Sequence, residues 1–176
     1  MTMRSMLIIA TAIMSLLTTG CGKGSSTGLD YPGTEDGAKA LLQDLMKPGA
    51  DRAAMTRALQ PRDEDYPAYF EGDAAETAKK AYAKAWSDPN LVIAPKDGQT
   101  DLLLWGATTD EFKAHSGNAK EFPGGYKDVA AKLKAGILVI RFKFVAPGET
   151  LGMAFDGLAF VNGHWAFFPK PWRALE

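Results

Sequence analysis

The chain has one cysteine, Cys21, and two histidines, His115 and His164, among its 176 residues. A lone thiol cannot close an intrachain disulfide, so packing alone must hold the fold. Two histidines far apart in sequence and no second cysteine leave out the common zinc ligand sets. An excess of either charge is also missing: 20 Lys and Arg stand against 21 Asp and Glu. That balance gives no electrostatic footprint for nucleic acid and no basic patch for anionic lipid heads. The motifs of nucleophilic and phosphate chemistry have no fitting context either. The one Gly-x-Ser-x-Gly match, Gly24 to Gly28, lies in a Gly/Ser-rich stretch with no strand before it, and Gly124-Gly125 follows Pro123 without the Lys and Ser of a P-loop. No catalytic set, metal site or cofactor is expected from these residues.

A membrane-spanning run is lacking as well. Met6 to Leu17 is apolar apart from Thr11 and Ser15, too short for a spanning helix, which needs roughly 20 residues. Arg4 is the only charge before Cys21, and the run leads into Leu16-Leu17-Thr18-Thr19-Gly20-Cys21. This arrangement resembles the signal peptide of a bacterial lipoprotein, with Thr18 where that family more often carries Leu. The resemblance implies that residues 1–20 are removed and that the Cys21 thiol takes the lipid. The protein's membrane partner is then its own acyl anchor, in the cell envelope. In a Gram-negative source, Gly22 in place of Asp implies the periplasmic face of the outer membrane. An ordinary secretory signal cut near the same place, or a short uncleaved anchor, would use the same composition.

Residues 21–33 read as the lipidated cysteine and a Gly/Ser-rich tether, and 34–176 as a single α+β domain. Thr34 is placed to cap a helix with Ala38, Leu41, Leu42 and Leu45 on one face, ended by Pro48-Gly49. Asp51 caps a shorter one carrying Met55 and Leu59, and Pro61 to Pro67 reads as a polar turn. Asp73 and Glu76 resemble a capping box opening a helix over 74–86, with Ala75, Ala78, Tyr82, Ala85 and Trp86 inward. Leu91–Ala94 and Asp101–Ala107 read as hairpin strands about Pro95-Lys96-Asp97-Gly98. Thr108 and Glu111 form a second capping-box signal, for a helix through about His115, and another helix is expected over 127–134. Strands follow over 136–146, 150–161 and 165–168, the last two joined by Asn162-Gly163, a pair that tolerates positive φ. The expected architecture is N-terminal helices packed on a curved antiparallel sheet ending in a three-stranded meander. That order, with Val161, Gly163 and Trp165 in a closing hairpin, resembles the cone-shaped nuclear-transport-factor-2-like folds. A cystatin-like sheet wrapped on one helix is the competing resemblance.

Three residues stand out as candidates for binding a ligand. Asp156 interrupts an apolar strand before Gly157, marking a β-bulge or an acid facing a cavity, with the bulge preferred. His164 and Trp165 follow the Asn-Gly turn, where His164 reads as a surface histidine without a carboxylate near it in sequence. His115 is expected at the surface at the end of its helix. The acids Asp63, Glu64, Asp65, Glu71 and Asp73 could supply oxygen ligands to calcium, but lack the alternation and mid-loop glycine of an EF-hand and read as a solvated turn. The Trp165–Trp172 segment reads as a last core strand and a polyproline-like tail. Expected partners are an envelope protein or a small ligand.

Overall fold

The computed structural model describes residues 31–176; the expected signal segment, Cys21 and the expected tether up to residue 30 lie outside the described residues. The chain forms α1 (Glu35–Met46), α2 (Arg52–Ala58), α3 (Asp65–Tyr69), α4 (Ala74–Trp86), β1 (Asp101–Thr108), α5 (Thr109–Ala114), α6 (Gly125–Val129), β2 (Leu138–Val145), β3 (Gly152–Val161), β4 (His164–Phe167) and α7 (Pro171–Ala174). Short 3₁₀ turns at Gly117–Glu121 and Ala130–Lys132 flank α6. The four strands make one antiparallel sheet in the order β1-β2-β3-β4, so the fold is α+β.

The caps that form do so for local reasons. The Thr34 side chain accepts the Gly37 N–H at 3.1 Å, and Asp51 accepts that of Ala54 at 3.0 Å. At α5 the box is reciprocal: Glu111 accepts from Thr108 N at 2.7 Å and its own N–H donates to Thr108 Oγ1 at 3.3 Å. Helix α1 buries Ala38, Leu41, Leu42 and Leu45, each leucine contributing about 1.5–3 kcal/mol by leaving water.

Several expectations need correction. Pro61–Pro67 is not wholly a turn, because α3 starts at Asp65. Its proline is the third helical residue, in the first turn, where a missing N–H costs nothing. Asp73 makes no side-chain cap bond, and Ala85 of α4 is exposed. Leu91–Ala94 forms no strand. Its Ile93 is buried, and the Ile93 N–H donates to Thr56 Oγ1 at 2.9 Å, which ties the segment to α2 instead of to β1. The helix expected over 127–134 begins at Gly125 and passes into 3₁₀ geometry by Ala130. Residues 31–33 are not tether. Tyr31 hydrogen-bonds the Asp44 carboxylate, Gly33 lies against the Phe160 ring, and the Pro32 carbonyl accepts the Trp165 indole N–H at 3.2 Å.

Strand alternation puts Phe142, Phe144, Phe155 and Phe167 on one face of the sheet, ring on ring at 5.1–6.4 Å. Arg141, Lys143 and Asp156 point to the other face, where both cations lie over the Trp105 ring. The β2–β3 register slips at Ile140/Arg141: Ile140 faces Leu158 while Arg141 faces Asp156, so Gly157 is the unpaired residue of a bulge. Gly157 has φ +89, and a side chain there would collide with the Phe168 carbonyl. Gly157→Ala is expected to cost on the order of 3 kcal/mol, from strain and displacement of the chain after β4. Urea denaturation measures it, and a loss below about 0.5 kcal/mol would mean that the bulge relaxes freely.

Candidate functional site

His164 is not a surface histidine. It is buried at the start of β4, and its Nε2 lies 3.0 and 2.9 Å from the two oxygens of Asp65, which is wholly buried. Nε2 therefore carries a proton and donates it to the carboxylate. Nδ1 lies 3.2 Å from the Trp165 carbonyl. Asp65 also accepts from Arg62 N at 2.7 Å and from the Asn162 side-chain amide at 2.8 Å. The reading of the acid segment as a solvated turn thus fails at Asp65, whose donors come from its own turn and from the β3–β4 hairpin. Its neighbours scatter, Asp63 pairing with Lys79 at 3.0 Å and Glu71 with Lys134 at 2.6 Å. Among the described residues, no group of three or more potential ligands is placed to hold a metal ion. With Nε2 bonded to Asp65 and the pair buried, His164 is arranged to clamp the hairpin to α3.

Trp165 is a core residue, 1% exposed, packed edge-on against Phe160 at 5.2 Å. Its indole N–H holds down the 31–33 segment, so it contributes no free donor to a ligand.

Asp156 satisfies both of its readings in part. The bulge is there, and the side chain turns inward, where Tyr126 Oη donates to Oδ1 at 3.2 Å and Lys170 N at 3.1 Å. Burial pushes its carboxyl above the ordinary range, against the pull of those two hydrogen bonds and of the Lys170 and Arg141 charges. Burial also raises Tyr69, Tyr82 and Tyr126, and the nearby Asp156 charge adds to each. All three phenols stay neutral donors. Tyr82 donates to the Pro169 carbonyl at 3.0 Å, while the buried Tyr69 hydroxyl has no hydrogen-bond partner among the described residues. The segment after β4 closes over this cluster: Phe168 is fully buried among Tyr66, Tyr69, Phe70 and Tyr82, and Trp172 packs on Tyr126 at 5.3 Å. The expected polyproline-like tail is instead the single helical turn α7, pinned by Trp172. Asp156, His164 and Trp165 do not converge, because each serves a separate contact within the fold.

A concave feature lies elsewhere. Between α5, the following 3₁₀ turn and α6 is a cleft of about 370 Å³, lined by Phe112, Ala119, Phe122, Pro123 and Tyr126 with His115, Lys120 and Lys127. The three aromatic rings pack mutually at 4.5–5.3 Å, which fixes the floor. Of these residues only His115 is weighed from sequence, and there it reads as a surface histidine. The usable signal was the Thr108/Glu111 box, which sets Phe112 on the inner face of α5, and the four-residue spacing of Phe122 and Tyr126. His115 is exposed as expected, in left-handed conformation at φ 51.

Comparison with protein-family models, curated proteins and solved structures finds no match to this chain.

Two measurements check the buried groups. Asp65→Ala and His164→Ala should each lose about 2–4 kcal/mol, and the double variant should fall short of their sum by about 1 kcal/mol or more, read by urea unfolding. Strict additivity would mean that the pair is not coupled. Because the folded chain holds the Asp156 proton more tightly than the unfolded chain, with its ordinary value near 3.8, this group favours folding most at low pH. Its contribution falls as pH rises through the raised folded value. Asp156→Asn does not titrate and keeps an acceptor for Tyr126 and Lys170. Its stability relative to the native chain should rise from about pH 3.5 towards neutrality, and parallel pH profiles would refute the uncompensated burial.

Proposed function

We propose that the protein is a lipid-anchored cell-envelope protein whose folded domain is a non-catalytic binding module, with the α5–α6 cleft as its site for a small ligand. The cleft carries the binding half of this reading. It has a fixed aromatic floor and polar groups confined to its rim, the usual make-up of a small-molecule site, and its volume is at the small end for one. The enclosure of Asp156 and the burial of His164 against Asp65 weigh against acid–base chemistry at either. The burial of Phe168 and the packing of Trp172 against Tyr126 weigh against an aromatic ledge for an envelope-protein partner.

The anchor half rests on Cys21 and the residues before it, together with the tether that follows. Among the described residues no helix is long and apolar enough to cross a membrane. The cone-fold resemblance remains a proposal alongside it.

Changing Cys21→Ser should abolish labelling by a radioactive or clickable fatty acid and leave uncleaved precursor or a released protein. A variant that keeps its lipid label and membrane fractionation would sink the anchor reading. For the binding half, a fragment screen by NMR should shift the amides of Ala119 and Gly124. Shifts confined to other parts of the domain would move the site away from the cleft.

A further inference from the structure

We propose that the cleft takes a small anion with an apolar body, its charged end held by Lys120 and Lys127 and its body against Phe112, Phe122 and Tyr126. This deepens the binding reading above and rests on it.

Charge points to the sign of the ligand. Two lysines and an imidazole stand among the lining residues, and no carboxylate does. The two acids of α5 are engaged elsewhere. Glu111 accepts the N–H groups of Thr108 at 2.7 Å and Asn118 at 3.2 Å, while Asp110 accepts that of Gly136 at 2.8 Å. Among the described residues the lysine ion pairs use Lys47, Lys79 and Lys134, so neither Lys120 nor Lys127 is neutralised by one. Glu121 and Asp128 neighbour these lysines in sequence but do not line the cleft. The one remaining titratable lining group, Tyr126, is kept neutral by burial, and its hydroxyl is turned away to Asp156.

Shape points to the body. Ala119 and Pro123 add apolar walls to the aromatic floor, and about 370 Å³ suits one or two fused rings or a short chain. A cation of the same shape would meet two ammonium groups with no carboxylate among the lining residues. A neutral analogue would keep the apolar contact and lose the charge attraction, which at exposed lysines is modest and falls with added salt.

The experiment uses purified full-length protein in detergent micelles and three probes of one shape: naphthalene-2-carboxylate, naphthalen-2-ylmethanol and naphthalen-2-ylmethylammonium. Affinities are read from amide shifts of Ala119, Gly124 and Lys127. The carboxylate should bind at least about fivefold more tightly than the alcohol, and the ammonium should show no saturable shift. Lys120→Gln with Lys127→Gln should bring the carboxylate to within about twofold of the alcohol and leave the alcohol unchanged. Raising salt from about 50 to about 500 mM should weaken the carboxylate alone. Gly124→Trp supplies the blocking control. Gly124 lines the cleft with φ −56, and a Cβ there meets nothing within 4 Å, so the fold should be kept while the space is filled. All saturable shifts should then disappear.

Equal binding of the three probes, blocked by Gly124→Trp, would overturn the anion assignment and leave the binding reading standing. No cleft shift with any probe, or shifts that persist in a folded Gly124→Trp protein, would overturn both.

Discussion

Where β3 carries one residue more than β2 can pair, the extra residue has to bend the strand, and only glycine fits the conformation and the space at Gly157. Its carbonyl accepts the Phe168 N–H at 2.8 Å, so the chain leaving β4 is caught at the bend. From there Phe168 enters the aromatic cluster of α3 and α4, and Pro169 and Lys170 reach Tyr82 and Asp156. Without that bend, Asp156 would not meet Tyr126, and α7 would have no seat beside α6. The packing of the helices on this side of the sheet thus depends on the local geometry of two residues, Asp156 and Gly157.

Much of this was legible from local sequence. Thr34, Asp51 and Thr108 mark helix starts because a cap is a contact within three or four residues. The Asn162-Gly163 hairpin and the alternation of Phe142 and Phe144 with Arg141 and Lys143 are equally local. The failures occur where a distant group decided the outcome. Asp65 read as solvated because the residues that satisfy it, Asn162 and His164, lie 97 and 99 positions away. Leu91–Ala94 carries strand chemistry, but its pairing was claimed by Thr56 of α2. Pro67 read as a turn marker, since the sequence alone does not say whether a proline stands in the first turn of a helix. The cleft was legible only in part: capping and spacing place Phe112, Phe122 and Tyr126, but not the gap left between α5, the 3₁₀ turn and α6.

The two buried aspartates show how context divides one side chain into two behaviours. Asp65 has a histidine, a backbone N–H and an amide around it, and serves as a clamp between α3 and the hairpin. Asp156 has a phenol and one backbone N–H, and burial raises it. Both side chains act on the domain's own architecture, whereas Lys120 and Lys127 face outward around the α5–α6 cleft.

The docking of Tyr31 on Asp44 shortens the leash. If Cys21 carries lipid, the ten residues from it to Tyr31 can extend no further than about 35 Å, and a flexible chain of that length averages roughly half as much. The domain would then be confined to a thin layer beside the bilayer, sampling what accumulates at that surface. Amphiphilic molecules partition there from solution, so the effective concentration around the cleft would exceed the bulk value. A weak site held in such a layer can be filled when the same site, free in solution, would stand empty.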